Sequence, residues 1–265
     1  MTNYENLHKE FHDQKNVFFH NYSNYVDENM IEFEREYVHL STNQHMFEKN
    51  CILRYMSIND FCKKNNITKL LHLEADVVLY SDDIDGDFAH FSTGGYALTL
   101  LKQLGAGGSF FDLSKKNLLQ VFSDYVVSTF STDPSRLPKC FNMEEQKKYN
   151  QESLEKNLMR GGVSDMHFWN YIYHTNKNMV YGDMEVPQNN IIWHCTLKNP
   201  DNKILIENED IFFGYPHQIL KILISDNICY GFNKDNSEKT QIKMLHFHGD
   251  WKKKIREYCS DNYSS

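Results

Sequence analysis

The chain has 265 residues and a formal net charge of −8, and its hydrophobic fraction of 40% and charged fraction of 24% are those of a soluble globular protein. No strongly basic segment offsets the negative charge, which argues against a nucleic-acid-binding protein. The polar N-terminus lacks the apolar core of a signal peptide, and no stretch approaches the roughly 18 apolar residues of a membrane span, so we expect a cytoplasmic protein with no transmembrane segment.

The length is sufficient for one domain, or for two closely packed lobes, with a sizeable core. The 6 cysteines are scattered without CxxC spacing, which favours neither a zinc site nor a disulfide framework. Each cysteine is most simply a small buried apolar residue.

The first predicted elements are a short strand, a helix and a longer amphipathic helix. The sequence NVFFH at residues 16–20 favours a strand, and residues 30–39 have loose helical spacing. From Gln44 to residues 64–66, apolar residues recur at spacings of three and four, which predicts a helix. They are Met46, Phe47, Cys51, Tyr55, Ile58 and Phe61. Arg54 lies in this helix, where a basic side chain is most often on the surface.

Residues 70–80, LLHLEADVVLY, form an apolar run that is too short for a helix, which predicts a buried strand and half of a βαβ unit. Glu74 and Asp76 interrupt the run one residue apart, so on a strand both carboxylates would share a face. A buried charge is costly unless it is paired or bound to a metal, and the run contains no Lys or Arg. Two solvated carboxylates where a strand emerges are the simpler alternative, and acid-x-acid alone is a weak signal.

Glycines mark the next two segments. Residues 91–100, FSTGGYALTL, place two glycines ahead of an apolar stretch, which permits close approach of a ligand but is more commonly a turn. Residues 105–108 form a second Gly-rich break, which lacks the Lys-Ser/Thr of a phosphate-binding loop. A helix is predicted over 113–130, and the prolines of residues 131–140 mark the best boundary between two halves of the sheet.

Asp165 follows two glycines at the start of a predicted helix in residues 161–174, GGVSDMHFWNYIYH. Ser164 or Asp165 would cap this helix, and that structural role alone explains an acid here. An acid at the mouth of a helix, behind two glycines, is also suited to face a pocket. The two interpretations are compatible, and both stay open.

The C-terminal part of the chain is predicted to be rich in strands. Short apolar pieces alternate with turns over residues 180–216, which predicts antiparallel strands or hairpins. A strand through residues 243–248 would place His246 and His248 on one face. Gly249 then turns the chain, and a basic helix or tail begins at Lys252. Two histidines on one face, followed by glycine and a lysine cluster, favour an anion or metal site.

Together these segments resemble a GT-A glycosyltransferase, a family of metal-dependent enzymes that use nucleotide-sugar donors. Glu74-Ala75-Asp76 resembles the DxD motif of that fold, with Glu in the first acidic place. Residues 246–252, HFHGDWK, are similar to the HxxGxxK signature of its retaining, glycogenin-like and galactosyltransferase-like branch. The glycine segment FSTGGYALTL resembles another element of that branch, and Asp165 with Asn170 resembles its later DxxxxN element. The resemblance spans roughly residues 45–252.

The resemblance implies an α/β fold of GT-A type, in which a Rossmann-like mixed central sheet is flanked by helices and accompanied by a smaller antiparallel element. Residues 1–265 would form one domain, with the nucleotide-sugar-binding half at 1–130 and the acceptor-binding half at 131–265. The implied reaction moves a sugar from a nucleotide-diphosphate sugar, with UDP as the expected nucleotide, to a hydroxyl of a carbohydrate or protein. A homodimer is one assembly that the sequence leaves open.

The resemblance also implies a metal site. Asp76 and His246 would bind Mn²⁺ or Mg²⁺, and Glu74 would be a further ligand or a ribose contact. A diphosphate leaving group accumulates negative charge, which a divalent ion and basic side chains stabilise.

Further implied roles concern the substrates. Lys252 would hold the diphosphate, and Arg54 would contact the donor. Asp165 would contact the donor sugar in a retaining reaction, which is favoured, or act as the general base in an inverting one. The other expected substrate contacts are Glu74, Ser92, Gly94, Gly95, Asn170 and Gly249.

Two functions of other classes compete with a transferase. A metal-dependent phosphohydrolase would use the same acids and histidines, although the sequence lacks the dense Asp/His set of a two-metal site. A non-catalytic carbohydrate- or nucleotide-binding module would use the abundant Tyr and Phe to stack on sugars, although most of these aromatic residues are more simply core.

Overall fold

The computed structural model describes the chain in separate ranges, which are residues 17–81, 83–88, 94–98, 105–130, 163–166, 168–169, 172, 181–184, 189–197, 219–225, 227–233, 236–247, 252–253 and 255. The helices are α1 (Glu28–Glu36), α2 (His45–Lys64), α3 (Ile84–Phe88) and α4 (Leu118–Phe130). The strands are β1 (Lys69–Leu73), β2 (Val77–Leu79), β3 (Gly94–Leu98), β4 (Gly105–Asp112), β5 (Tyr181–Asp183), β6 (Ile191–Ile192), β7 (Cys195–Leu197), β8 (Ile219–Ser225), β9 (Ile228–Asn233), β10 (Asn236–Ile242) and β11 (Met244–Phe247).

The described strands form three small mixed sheets, with the orders β1-β4-β3-β5, β6-β10-β9-β8 and β2-β11-β7. Each sheet contains one parallel pair, and its other pairs are antiparallel. The predicted α/β class is therefore confirmed. The expected single central sheet is not what the described ranges show, because their strands divide among three sheets. Two of these sheets combine strands from residues 1–130 with strands from residues 131–265.

Helix α2 confirms the prediction made from apolar spacing. It begins after Gln44, and it ends where the Asn65 N–H donates to the Phe61 carbonyl oxygen at 3.1 Å. Its middle turns face the core, where Ile52, Leu53, Tyr55, Met56 and Cys62 are buried. Met46 and Phe47 are instead 60% and 59% exposed, so including them in the core-facing stripe was wrong. Periodicity identifies a stripe along a helix but not how far the neighbouring elements extend over it.

Other predictions for the first half of the chain have mixed outcomes. Residues 17–20 form no strand, and Phe18 is 76% exposed. The helix expected near residues 30–39 is α1, whose Met30 N–H donates to the Asp27 carboxylate at 2.9 Å. The helix predicted over 113–130 is α4, and the proposed boundary at residues 131–140 lies outside the described residues. None of the described helices has the length and apolar character needed to cross a membrane.

The first sheet separates two apolar cores. Phe111 of β4 belongs to the core formed with the helices, which also contains Tyr55 and Phe122. Phe110, the preceding residue, belongs to a second core with Trp193 and Met244. This alternation is the period of two expected for a strand that is covered on both faces. Leu73 of β1 and Val77 of β2 also border the second core, which therefore joins the first and third sheets.

The acidic run of residues 70–80 is not one strand, contrary to the prediction. β1 pairs antiparallel with β4 in the first sheet, whereas β2 pairs antiparallel with β11 in the third. Residues 74–76 form the turn between them, and the Val77 N–H donates to the Glu74 carbonyl oxygen at 3.2 Å. The argument that both carboxylates share one face fails because the chain changes sheets between them. The antiparallel β1–β4 pair likewise differs from the expected βαβ unit.

Strands β5, β6 and β7 pair with segments far from them in the chain and not with one another. β5, β6 and β7 lie parallel to β3, β10 and β11, so the hairpins expected over residues 181–197 are wrong. Antiparallel pairing occurs instead among β8, β9 and β10. Residues 105–108, expected to be a break, open strand β4. Which strands pair was decided by partners far away in the chain, which local patterns do not encode.

Candidate functional site

Strand β11 brings the C-terminal histidine next to the acidic turn. In the pairing of β11 with β2, His246 lies opposite Val77, the residue after Asp76. The Phe247 N–H donates to the Asp76 carbonyl oxygen at 2.8 Å, which holds the two segments together at this point. The His246 Nε2 and Asp76 Oδ2 atoms are 3.4 Å apart, and the two side chains are 1% and 9% exposed. The predicted proximity of Asp76 and His246 is confirmed.

Lys252 approaches the same carboxylate from the solvent side. Its Nζ lies 2.6 Å from Asp76 Oδ2, and its side chain is 54% exposed. Burial would raise the pKa of Asp76, but hydrogen bonds from His246 and Lys252 outweigh burial and hold this pKa well below its usual range. Asp76 is therefore ionised at neutral pH.

Glu74 forms an ion pair with a residue of helix α2. Arg54 of α2 places its Nη1 2.6 Å from Glu74 Oε1 and donates from Nη2 to Asp165 Oδ2 at 2.8 Å. Asp165 is 3% exposed and is the first helical residue after Ser164. Arg54, whose residue type and helical position favoured a surface role, instead lies partly buried between two carboxylates.

The pKa of Asp165 is shifted in the opposite direction to that of Asp76. Burial raises the pKa of Asp165 to about 6, in spite of the opposing effect of Arg54, and the nearby Glu74 and Glu48 carboxylates add to the rise. The same group of acids acts on Cys51, where burial and the nearby Asp165 raise the thiol pKa to about 12. Helix α2 thus carries three polar residues that interact with Asp165, namely Glu48, Cys51 and Arg54.

The side chains at this turn fit a divalent cation. Glu74, Asp76 and His246 each offer one ligand atom, and these atoms lie within 4.8 Å of one another. The ligand atoms of an octahedral Mg²⁺ shell are about 3 to 4.2 Å apart, so a small contraction would be enough. Asp76 Oδ1 is buried and has no hydrogen-bond partner among the described residues, which leaves it available as a ligand. A mixed carboxylate and imidazole set suits Mn²⁺ at least as well as Mg²⁺.

The charges around the turn also favour a cation. Four carboxylates lie in and around the turn, and two basic side chains contact three of them, so the acids outnumber the bases. The carboxylates are Glu48, Glu74, Asp76 and Asp165, and the basic side chains are Arg54 and Lys252. A bound divalent ion would add positive charge among these acids.

The two glycines expected to contact substrate lie away from this cluster. Gly94 and Gly95 are in β3, which has β4 on one side and β5 on the other. They lie level with Leu70 and Leu71 of β1, because both pairs lie opposite the same β4 residues. At about 3.3 Å per residue, this is roughly 10 to 13 Å before the level of Glu74. Their placement in the sheet separates them from the acidic turn, and their role as substrate contacts stays a prediction.

Three further expected substrate contacts, Ser92, Asn170 and Gly249, lie outside the described residues. The same is true of His248, which the sequence pairs with His246 on one strand face. Lys252 lies in a short helical turn with Lys253, where the basic helix was expected to begin.

Sequence reasoning missed three polar residues around the cluster. His72 precedes Glu74 by two residues, and burial together with Arg54 lowers its pKa to about 4, so it is neutral. Glu48 is 2% exposed and accepts a hydrogen bond from the Asn43 amide. The ring of His194, which is fully buried, has its centroid 5.4 Å from that of His246. A signal existed for His72, a polar residue inside an apolar run; Glu48 reads as an ordinary first-turn acid.

A scan of the sequence against protein-family models finds no match, and comparisons with curated proteins and with solved structures find none either. The guide to function is therefore the site itself.

Proposed function

We propose that this chain is a metal-dependent glycosyltransferase of GT-A type that uses a nucleotide-diphosphate sugar, with UDP as the expected nucleotide. The observation that carries the proposal is the convergence of Glu74, Asp76, His246 and Lys252 at one turn. These residues come from the two motifs that resemble the DxD and HxxGxxK elements. A surface cluster of acids would not require a histidine that is 1% exposed and a lysine from the far end of the chain.

The residues of the cluster have distinct tasks in this proposal. Asp76, His246 and Glu74 would hold Mn²⁺ or Mg²⁺, which when bound supplies positive charge to a diphosphate leaving group. Lys252, whose ammonium group already contacts Asp76, would add a second positive charge on the solvent side, where a diphosphate would arrive. In the transfer, the anomeric carbon exchanges its bond to the diphosphate oxygen for a bond to the acceptor oxygen. The acceptor hydroxyl would give its proton to the departing diphosphate in a retaining reaction, or to the Asp165 carboxylate in an inverting one.

The burial of Asp165 favours retention of configuration. An inverting reaction would need the acceptor hydroxyl to reach the Asp165 carboxylate as general base. A pKa of about 6 would suit a base, but this carboxylate is 3% exposed and its Oδ2 accepts a hydrogen bond from Arg54. Inversion with Asp165 as base stays the alternative, and the anomeric configuration of the product, read by NMR, distinguishes the two.

The decisive experiment measures binding and hydrolysis of a panel of nucleotide sugars with and without Mn²⁺. Wild-type protein should bind one of them in a Mn²⁺-dependent manner, and Asp76→Asn should lower turnover by at least about 100-fold, because it removes a charged ligand. Asp112→Asn is the matched control, since Asp112 is 7% exposed and Asp76 is 6% exposed. Asp112 lies opposite Lys69 in the strand pairing, at the end of β1 away from the acidic turn.

Other results would point to other functions. Unchanged turnover in Asp76→Asn would exclude the metal assignment. Phosphate release without any sugar acceptor would indicate a phosphohydrolase, and tight binding without turnover would indicate a non-catalytic binding module.

A further inference from the structure

The position of Arg54 assigns a role to two residues that the motifs alone leave as substrate contacts. We infer that Arg54 and Asp165 are positioning residues, which together hold Glu74 toward Asp76 and His246 as a charge-neutral pair. The inference rests on the cation site of the proposed function. It does not depend on which sugar nucleotide, if any, the chain binds.

The Arg54 guanidinium bridges two carboxylates. Its two terminal nitrogens each contact a different carboxylate, Glu74 at 2.6 Å and Asp165 at 2.8 Å. Its Nε is buried and has no hydrogen-bond partner within the described ranges, and its guanidinium lies over the Tyr55 ring at 4.9 Å. Because the guanidinium is planar and rigid, fixing both ends fixes the direction in which the Glu74 carboxylate points.

Glu74 keeps one oxygen for another ligand under this arrangement. Arg54 contacts Oε1, and one oxygen of the Glu74 carboxylate lies within 4.8 Å of ligand atoms of Asp76 and His246. Glu74 sits in a turn between two sheets and not on a strand, so the backbone alone fixes its side chain less firmly. The contact with Arg54 of α2 orients the Glu74 side chain, which the turn alone does not.

Asp165 compensates the positive charge that Arg54 places beside the proposed cation site. A lone guanidinium beside a ligand of a divalent cation would repel that cation, and the repulsion is strong where water is excluded. Asp165, at 3% exposure, cancels the charge of Arg54 on the side away from the turn. Glu74 can then be oriented by Arg54 and still offer its negative charge to a cation.

The test is Mn²⁺ binding to the full chain, measured by electron paramagnetic resonance without any sugar nucleotide. Simple charge repulsion predicts that Arg54→Met binds Mn²⁺ more tightly, whereas positioning predicts weaker binding, by about 10-fold or more. Arg54→Lys should recover little of the loss, since one ammonium group does not reproduce the fork that spans two carboxylates. Tighter or unchanged binding in Arg54→Met would overturn the inference, and so would full rescue by Lys.

A double variant guards against misfolding, because Arg54→Met alone leaves Asp165 buried without its cation. Arg54→Met/Asp165→Asn removes the pair without changing the net charge, and it should also bind Mn²⁺ about 10-fold more weakly. Lys49→Met/Glu34→Gln is the matched control, since it removes a 2.9 Å ion pair between Lys49, on the same helix as Arg54, and Glu34 of α1. Its Mn²⁺ affinity should equal that of wild type.

The two possible failures are distinguishable. If wild-type protein binds no Mn²⁺, the cation site is wrong and this inference falls with it. If wild-type protein binds Mn²⁺ and the double variant binds it equally well, the cation site stands and the positioning role is wrong. If Mn²⁺ binds as expected but no nucleotide sugar does, the positioning role stands and the glycosyltransferase proposal fails.

Discussion

Asp76 and Asp165 are both buried and both contact a basic side chain, yet their pKa values move in opposite directions. They are 6% and 3% exposed. The pKa of Asp76 lies well below its usual range, whereas that of Asp165 is raised to about 6. Burial opposes ionisation in both cases, so the surroundings decide the sign. Asp76 receives two donors, His246 and Lys252, while Asp165 depends on Arg54, which also pairs with a second carboxylate.

The difference separates the site into two parts. On the strand side, around Asp76, an ionised carboxylate meets an exposed lysine that can move away, so this is where an incoming ligand can exchange contacts. On the helix side, Asp165 is buried and Arg54 is partly buried, and their ion pair fixes a geometry. Glu74 lies at the boundary between them, where the chain passes from the first sheet to the third.

The largest effect expected from this comparison is on the pH dependence of stability. The folded-state pKa of Asp165, about 6, lies above its ordinary value of 3.8, so the folded protein binds this proton more tightly. The contribution of Asp165 to stability is therefore most favourable below about pH 4 and falls as the pH rises to about 6, by about 3 kcal/mol in total.

Urea unfolding at a series of pH values, for wild type and Asp165→Asn, measures this loss as the change in their difference. Asp112→Asn is the control, because hydrogen bonds from Ser114, against the effect of burial, hold the pKa of Asp112 below its usual value. The difference in free energy of unfolding between Asp112→Asn and wild type should stay nearly constant above about pH 4. A flat difference for Asp165→Asn as well would remove the contrast between the two aspartates.

A smaller effect is expected at Lys252, whose replacement should change the affinities for Mn²⁺ and for a nucleotide diphosphate in opposite directions. Lys252→Met frees Asp76 Oδ2 and removes a nearby positive charge, so Mn²⁺ should bind about threefold more tightly, a modest gain because the lysine is largely exposed. A nucleotide diphosphate should bind about tenfold more weakly, since a charge-assisted contact is lost. Calorimetry measures both affinities, and Lys253→Met controls for the neighbouring charge. A parallel fall of both affinities would mean that Lys252 only maintains the local structure.

The smallest effect concerns the spacing between the two parts of the site. Gly108 lies opposite Leu73, just before Glu74, and a Cβ there would come within 3.0 Å of Met244 Sδ. Gly108→Ala should lower the free energy of unfolding by about 1 kcal/mol, because the methionine must shift in a filled core. Combining it with Met244→Ala should cost less than the two changes added together, as measured by urea unfolding. Strict additivity would show that the two residues do not press on each other.

Helix α2 and the composition of the site could be predicted from the sequence because both depend on local information. Apolar spacing located the helix, and charged residues inside an apolar run identified Glu74 and Asp76. The resemblance of two short motifs then linked Asp76 to His246, and the structure brings them together. Two failed predictions share a cause, since continuity of the acidic strand and hairpins over residues 181–197 both depend on which strands pair.

The residue pattern alone shows that the charges of Glu74 and Asp76 must be compensated, since an acid in an apolar run is costly in any fold. Which residues compensate these charges depends on the tertiary structure. Glu74 meets Arg54 and Asp76 meets His246 and Lys252 because the chain leaves one sheet and enters another within three residues. Hydrogen-bonded strand pairing fixes that crossing through contacts between segments far apart in sequence, and no local pattern of residues encodes such contacts.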